Sequence, residues 1–224
     1  GPLPPLPGAP RLAGRRILLV DSPGAAQTYF WIANVGVSRR YPDRAALDIV
    51  NTLYGGRFTS ILNTELRIKS GLSYGARSAF VRGGAPGEFA ITSFAQTENT
   101  VRALDLALET LGGLKRQPIA PEMLQSARSY VLGQYPLRLE TAAHWSAQLA
   151  DLEFFGLGRD YVEGYGPALA RVGPQDTAKV IAEAFPSPDD VAIVLIGDAA
   201  AIRDAVGKYG AVRQTALAAP GLLP

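Results

Sequence analysis

Two spacings of apolar residues succeed one another along this chain, one near two and one near 3.6, and the changes between them mark its elements. Arg16 to Asp21 and Thr28 to Val37 are rich in branched and aromatic residues, and Ser22-Pro23-Gly24 separates them. They read as two strands that pair as neighbours. After Pro42, Ala45, Ala46, Ile49, Val50 and Leu53 recur at helical spacing until Gly55-Gly56 stops the pattern. A second helix is expected from Ser60 to Lys69, with Ile61, Leu62 and Leu66 on one face and Gly71 as its stop. From Leu72 the short period returns. Tyr74 to Val81 and Glu88 to Gln96 read as a hairpin joined by Gly83-Gly84-Ala85-Pro86-Gly87.

Helices dominate thereafter. Thr100 to Leu114 carries Val101, Leu104, Leu108 and Leu111 on one stripe, and Pro121 opens another helix where its missing N–H costs least. Further helices are expected over Ala142 to Phe155, Tyr161 to Arg171, Pro174 to Phe185 and Ala199 to Tyr209, with Pro136 breaking whatever helix precedes it. Val191 to Ile196 is continuously apolar and reads as a buried strand. The order predicts an α+β fold, a mixed and largely antiparallel sheet covered on one face by helices.

A chain of 224 residues with 47% hydrophobic and 19% charged residues is long enough to bury one good core. The proline-rich start reads as a linker or a tag-derived remnant over residues 1–14, with a single domain over 15–212 and a tail over 213–224. No apolar run approaches the roughly 20 residues a membrane-spanning helix needs. A formal charge of +2, with basic residues scattered in pairs such as Arg15-Arg16 and Arg39-Arg40, argues against a nucleic-acid partner. Zero cysteines fit cytoplasm and periplasm equally, so the compartment stays open.

Chemistry is narrowed most by histidine. The chain has one, His144, and no cysteine, so a zinc site with the usual three ligands is not expected within it. His144 beside Trp145 on an apparently amphipathic helix reads as structural or solvent-exposed. A serine triad would have to take His144 as its only base, and no phosphate-binding glycine loop is present.

The segment Tyr54-Gly55-Gly56-Arg57-Phe58-Thr59-Ser60-Ile61-Leu62-Asn63-Thr64-Glu65-Leu66-Arg67-Ile68-Lys69-Ser70-Gly71-Leu72-Ser73-Tyr74-Gly75-Ala76-Arg77-Ser78 stands apart. It resembles M16 (pitrilysin or insulinase-like) metallopeptidases. In their non-catalytic C-terminal domain a Gly-Gly pair and a serine precede a leucine-rich helix ending in arginine, followed by Gly-Leu-x-Tyr. The resemblance implies a LuxS/MPP-like metallohydrolase fold and a chain that grips substrate without cutting it. By the same resemblance, Arg67 and Tyr74 reach toward the zinc-bearing half of the enzyme and hold an extended peptide there. A guanidinium offers fixed donors to a peptide carbonyl or carboxylate, and a phenol can donate to an oxygen on which negative charge develops. Glu65, Lys69 and Arg77 read as surface charges, and Phe58 and Leu62 as packing residues.

The family's H-x-x-E-H motif is absent here. The resemblance therefore implies that zinc belongs to a partner half, either an upstream domain or a separate subunit, and that this chain alone is inactive. Two other readings stand beside it. One is a structural, non-peptidase core subunit; the other is a stand-alone module that captures peptides at a sheet edge.

Overall fold

The computed structural model describes residues 10–217; most of the expected linker, residues 1–9, lies outside them, as do residues 218–224. The strands are β1 (Arg16–Asp21), β2 (Gln27–Val35), β3 (Ala76–Val81), β4 (Glu88–Gln96), β5 (Ala192–Gly197) and β6 (Val212–Ala216). The helices are α1 (Arg44–Asn51), α2 (Ile61–Asn63), α3 (Thr100–Arg116), α4 (Pro121–Gln134), α5 (Ala142–Phe155), α6 (Asp160–Glu163), α7 (Tyr165–Arg171), α8 (Pro174–Ala184) and α9 (Ala199–Val206). Wider π-helical turns prolong α1 over Thr52–Gly56 and α2 over Thr64–Lys69.

The six strands form one sheet in the order β3-β4-β2-β5-β1-β6. β3, β4, β2 and β5 pair antiparallel, whereas β1 pairs parallel with β5 on one side and with β6 on the other. β1 and β2 are thus not neighbours as their proximity in sequence suggests, because β5 lies between them and bonds to both. The apolar run that marked β5 as buried is what suits it to that central position. Residues 213–216, counted with the tail from sequence, lie in β6 beside β1.

One face of the sheet holds the core. Ile17 and Leu19 of β1, Phe30 and Ile32 of β2, Phe89 and Ile91 of β4, and Ile193 and Leu195 of β5 are all buried there. The core they form also takes in Leu47 and Val50 of α1, Leu104 and Leu111 of α3, and Val180 of α8. Tyr54, Phe80, Phe89 and Phe185 pack as an aromatic cluster with ring centroids 4.9–6.5 Å apart. The other face is left open by these helices. Across it, cross-strand pairing sets Arg77, Thr92, Trp31, Val194, Leu18 and Arg213 in one row.

Thr28, on the buried side of β2, is 0% exposed, and its hydroxyl has no partner among the described residues. An unpaired buried hydroxyl carries its desolvation cost with nothing in return. Thr28→Val keeps the shape and removes that cost, so it should stabilise the fold by about 1 kcal/mol. Thermal unfolding should then shift upward by roughly 2–4 °C; a lower midpoint would mean that the hydroxyl has a partner.

Several boundaries differ from the sequence reading. Helix α1 does not stop before Gly55-Gly56 but runs through them as a π turn. Strand β3 begins at Ala76, which leaves Tyr74 in the preceding loop. The helix expected over Tyr161 to Arg171 is two, divided at Gly164. Helix α5 is not amphipathic in its packing: Leu152 is its one buried residue, while Trp145, Leu149 and Phe154 are exposed. It is held at its C-terminal end by Arg39, which pairs with Asp151 and sits 4.6 Å from the Phe155 ring. Among the described residues no helix is long and apolar enough to cross a membrane.

Candidate functional site

The turn after α1 and the helix that follows place the candidate residues. Ser60 caps α2 by accepting the Asn63 N–H, and the π-helical continuation to Lys69 carries Arg67 in its last turn. Gly71, at φ 64°, adopts the left-handed conformation that ends the helix, and Ser70 N–H and Gly71 N–H close on the carbonyls of Glu65 and Arg67. The chain then turns back within three residues to Tyr74. Ser73 N–H bonds the Leu66 carbonyl at 3.1 Å. The hydroxyls of Ser73 and Ser93 lie 2.9 Å apart, each 2.9 Å from the Gly75 carbonyl oxygen. These bonds fix the loop beneath Tyr74 from both sides.

Asn63 connects the remaining pieces. Its amide nitrogen donates to the Phe58 carbonyl at 2.7 Å, and its Oδ1 accepts the Ala76 N–H at 3.0 Å. One buried side chain thereby sets the distance between the loop holding Phe58 and the start of β3. Asn51 does the same one step along: its Nδ2 donates to the Ser78 carbonyl at 3.2 Å, and the Ser78 hydroxyl donates to its Oδ1 at 2.7 Å. Gly55 makes the approach possible. A Cβ there would lie 2.5 Å from the Ser78 amide nitrogen and 2.4 Å from its Oγ.

Arg67 and Tyr74 are brought together by this scaffold. The guanidinium carbon of Arg67 lies 4.5 Å from the Tyr74 ring centroid and 4.8 Å from that of Phe58. Two aromatic faces hold the cation in place. Among the described residues, the guanidinium donates no hydrogen bond and pairs with no carboxylate, and the Tyr74 hydroxyl is equally without a partner. Tyr74 is 74% exposed.

They stand at the edge of a cavity of about 650 Å³ on the open sheet face, which Tyr29, Trp31 and Phe94 floor and Tyr130 of α4 borders. Tyr29 and Phe94 stack with centroids 5.2 Å apart. A largely aromatic concavity with a few convergent donors is the general form of a ligand site.

The sequence reading of Phe58 as a packing residue does not hold. It is 60% exposed and serves as one of the two rings around Arg67. The loop from Arg57 to Ser60 swings outward before the Ser60 cap, so Phe58 never reaches the core. Leu62 is fully buried as expected, and Glu65 and Lys69 pair with each other at 2.7 Å. Arg77 is exposed, yet it belongs to the cavity lining. Trp31, Tyr29, Phe94 and Tyr130 escaped sequence reasoning. The one available signal was the aromatic pair at positions 29 and 31, two apart on a strand whose buried side was already supplied by Phe30 and Ile32. His144 lies on exposed α5, outside this cavity, and among the described residues no three metal-ligating side chains converge. The residues present do not fit a zinc site.

No curated protein matches the chain. Among solved structures it is similar to a peptidase M16 inactive domain from Pseudomonas fluorescens, with a TM-score of 0.80 and 24% identity, over 88% of this chain and 47% of that one. A protease from Helicobacter pylori gives 0.73 and 19%, over 87% and 47%. A chain of complex III2 from Candida albicans gives 0.68 and 15%, over 87% and 47%. This chain thus spans about half the length of each of these structures. The family described as peptidase M16 inactive domain matches residues 1–131, a span that contains every residue of the cavity. This protein is a member of the peptidase M16 inactive-domain family.

Proposed function

We propose that this chain is the non-catalytic, substrate-gripping half of an M16 zinc peptidase, which completes the active site of a partner bearing H-x-x-E-H, as an upstream domain or a separate subunit. The supporting observation is the pair of free donors: the Arg67 guanidinium, held by two rings, and the neighbouring Tyr74 hydroxyl at the rim of the cavity. An extended peptide lying over the open sheet face would offer them its carbonyl oxygens. The guanidinium would bind and orient the backbone, and the phenol would donate to an oxygen gaining negative charge. Zinc chemistry is the partner's contribution.

Capture of a peptide at the β3 edge is less well supported, because the Ala76 N–H and Ser78 carbonyl already bond Asn63 and Asn51. The scaffold reading draws on the likeness in fold to the complex III2 chain. It gives no chemical reason for unpaired donors at the rim of an aromatic cavity.

The test is reconstitution. This chain is mixed with an H-x-x-E-H half, and cleavage of a quenched fluorescent peptide is followed with and without chelator. Chelator-sensitive cleavage that needs both components is the expected result. A complex that forms and holds zinc yet cleaves nothing would favour the scaffold.

A further inference from the structure

The charge of the cavity lining points to a preference that the proposed function does not contain. Three arginines contribute to the lining, Arg57, Arg67 and Arg77, and no aspartate or glutamate does. On a chain with 22 basic and 20 acidic residues this is a local excess, not a reflection of composition. None of the three is neutralised by a carboxylate among the described residues. Arg57 donates from Nη1 to the Ser126 hydroxyl at 3.0 Å and lies 5.9 Å from the Tyr130 ring centroid. Its Nε is buried with no partner. Arg77 spends one donor, Nε, on the Thr92 hydroxyl at 3.2 Å. Arg67 spends none.

Hydroxyl acceptors orient Arg57 and Arg77, and two rings hold Arg67, but none of these contacts compensates the positive charge. Like charges in a partly water-excluded concavity raise the potential there, and an incoming anion gains both Coulomb energy and charge-assisted hydrogen bonds. Guanidinium geometry favours a planar, two-oxygen acceptor. The aromatic floor of Tyr29, Trp31 and Phe94 favours an apolar or aromatic side chain beside it.

We infer that this cavity selects peptide segments carrying a glutamate or aspartate next to an apolar residue, with Arg57 and Arg77 supplying the selection and Arg67 the grip on the backbone. The inference rests on the cavity being a peptide site, as proposed above, and names the class of peptide it prefers. Basic segments are disfavoured by the same three charges.

Trp31 lies in the cavity and reports on it directly. The only other tryptophan, Trp145, is on exposed α5, so W145F gives a chain whose fluorescence comes from the site. Peptides of equal length with amidated C-termini, differing only in Glu, Gln or Lys at one position beside a phenylalanine, are titrated against it. The Glu peptide is expected to bind about tenfold more tightly than the Gln peptide, and the Lys peptide more weakly than either. The Glu-to-Gln ratio should shrink as salt is raised. In the double variant R57Q/R77Q the ratio should fall toward one.

Equal affinities for Glu and Gln peptides, or a ratio untouched by the double variant, would overturn the charge preference and leave the peptide site standing. If no peptide of any charge binds either this chain or its complex with the H-x-x-E-H half, the peptide-binding reading fails and this inference falls with it.

Discussion

In the proposed assembly with an H-x-x-E-H half, Arg67→Ala and Tyr74→Phe should each lower peptide turnover about 10²–10³-fold without changing zinc content. The two variants separate two contributions. Tyr74→Phe keeps the ring 4.5 Å from the Arg67 guanidinium and removes only the hydroxyl, so its loss reports the donor alone. If that hydroxyl stabilises charge that develops during hydrolysis, kcat falls and KM stays nearly constant. Arg67→Ala removes the cation and also frees Phe58, whose ring lies 4.8 Å from it, so both kcat and KM should suffer. Arg67→Lys keeps a charge without the planar fork and should fall between wild type and alanine. Turnover and bound metal measured on the same preparations decide the matter. Unaltered turnover in both principal variants would remove Arg67 and Tyr74 from the site.

The second large effect is on folding. In Gly55→Ala the added Cβ would lie 2.5 Å from the Ser78 amide nitrogen, where backbone rather than a flexible side-chain tip must give way. Overpacking of this kind costs about 1–3 kcal/mol, and the upper end is expected because both the π turn and β3 are held by further bonds through Asn51. A drop of roughly 6–12 °C in Tm corresponds to about 3 kcal/mol for a chain of this size. Gly133→Ala is the control. That position lies in α4 with nothing within 4 Å of the new methyl, so the substitution should be neutral or stabilising. Equal midpoints for Gly55→Ala and wild type would mean that the turn can move away from β3 without loss.

Much of the fold was legible because the signals were local. The Gly83–Gly87 turn between two alternating runs gives β3 and β4, and prolines at 121 and 174 open α4 and α8. Strand order was not legible in the same way. The partners of β1 are near residues 192 and 212, and nothing in Arg16–Asp21 says that β2, a few residues on, will pair elsewhere. β6 went unread because Val-Arg-Gln-Thr-Ala is too polar for a core strand and too short to show a period, which is the common character of a sheet edge. The π turns have no clear sequence mark. They arise where Gly55 must approach β3 and where Arg67 must emerge beside Tyr74, and wide turns of this type often sit at functional sites. As for the site, Arg67 and Tyr74 were named from a resemblance. Phe58 was misread, since an aromatic beside a helix start looks the same in sequence whether it turns inward or outward. Trp31 was hidden because its strand is apolar on both faces.

The interposition of β5 between β1 and β2 also shapes how the chain must be made. Neighbouring strands are about 4.8 Å apart, so β1 and β2 face each other across a slot roughly 10 Å wide. That slot is filled only when residues 192–197 have left the ribosome. Until then the nascent chain can assemble β3, β4 and β2 as one piece, with an unpaired edge on β2 and β1 waiting without a partner. Pairings this distant in sequence are slow to form, and an open strand edge is a template for association with another chain. The segment that closes the gap, Val191-Ala192-Ile193-Val194-Leu195-Ile196, is uncharged and β-branched, hence well suited to wrong partners as well as right ones. The last strand into the centre of the sheet is therefore where synthesis of this protein is most exposed to misassembly.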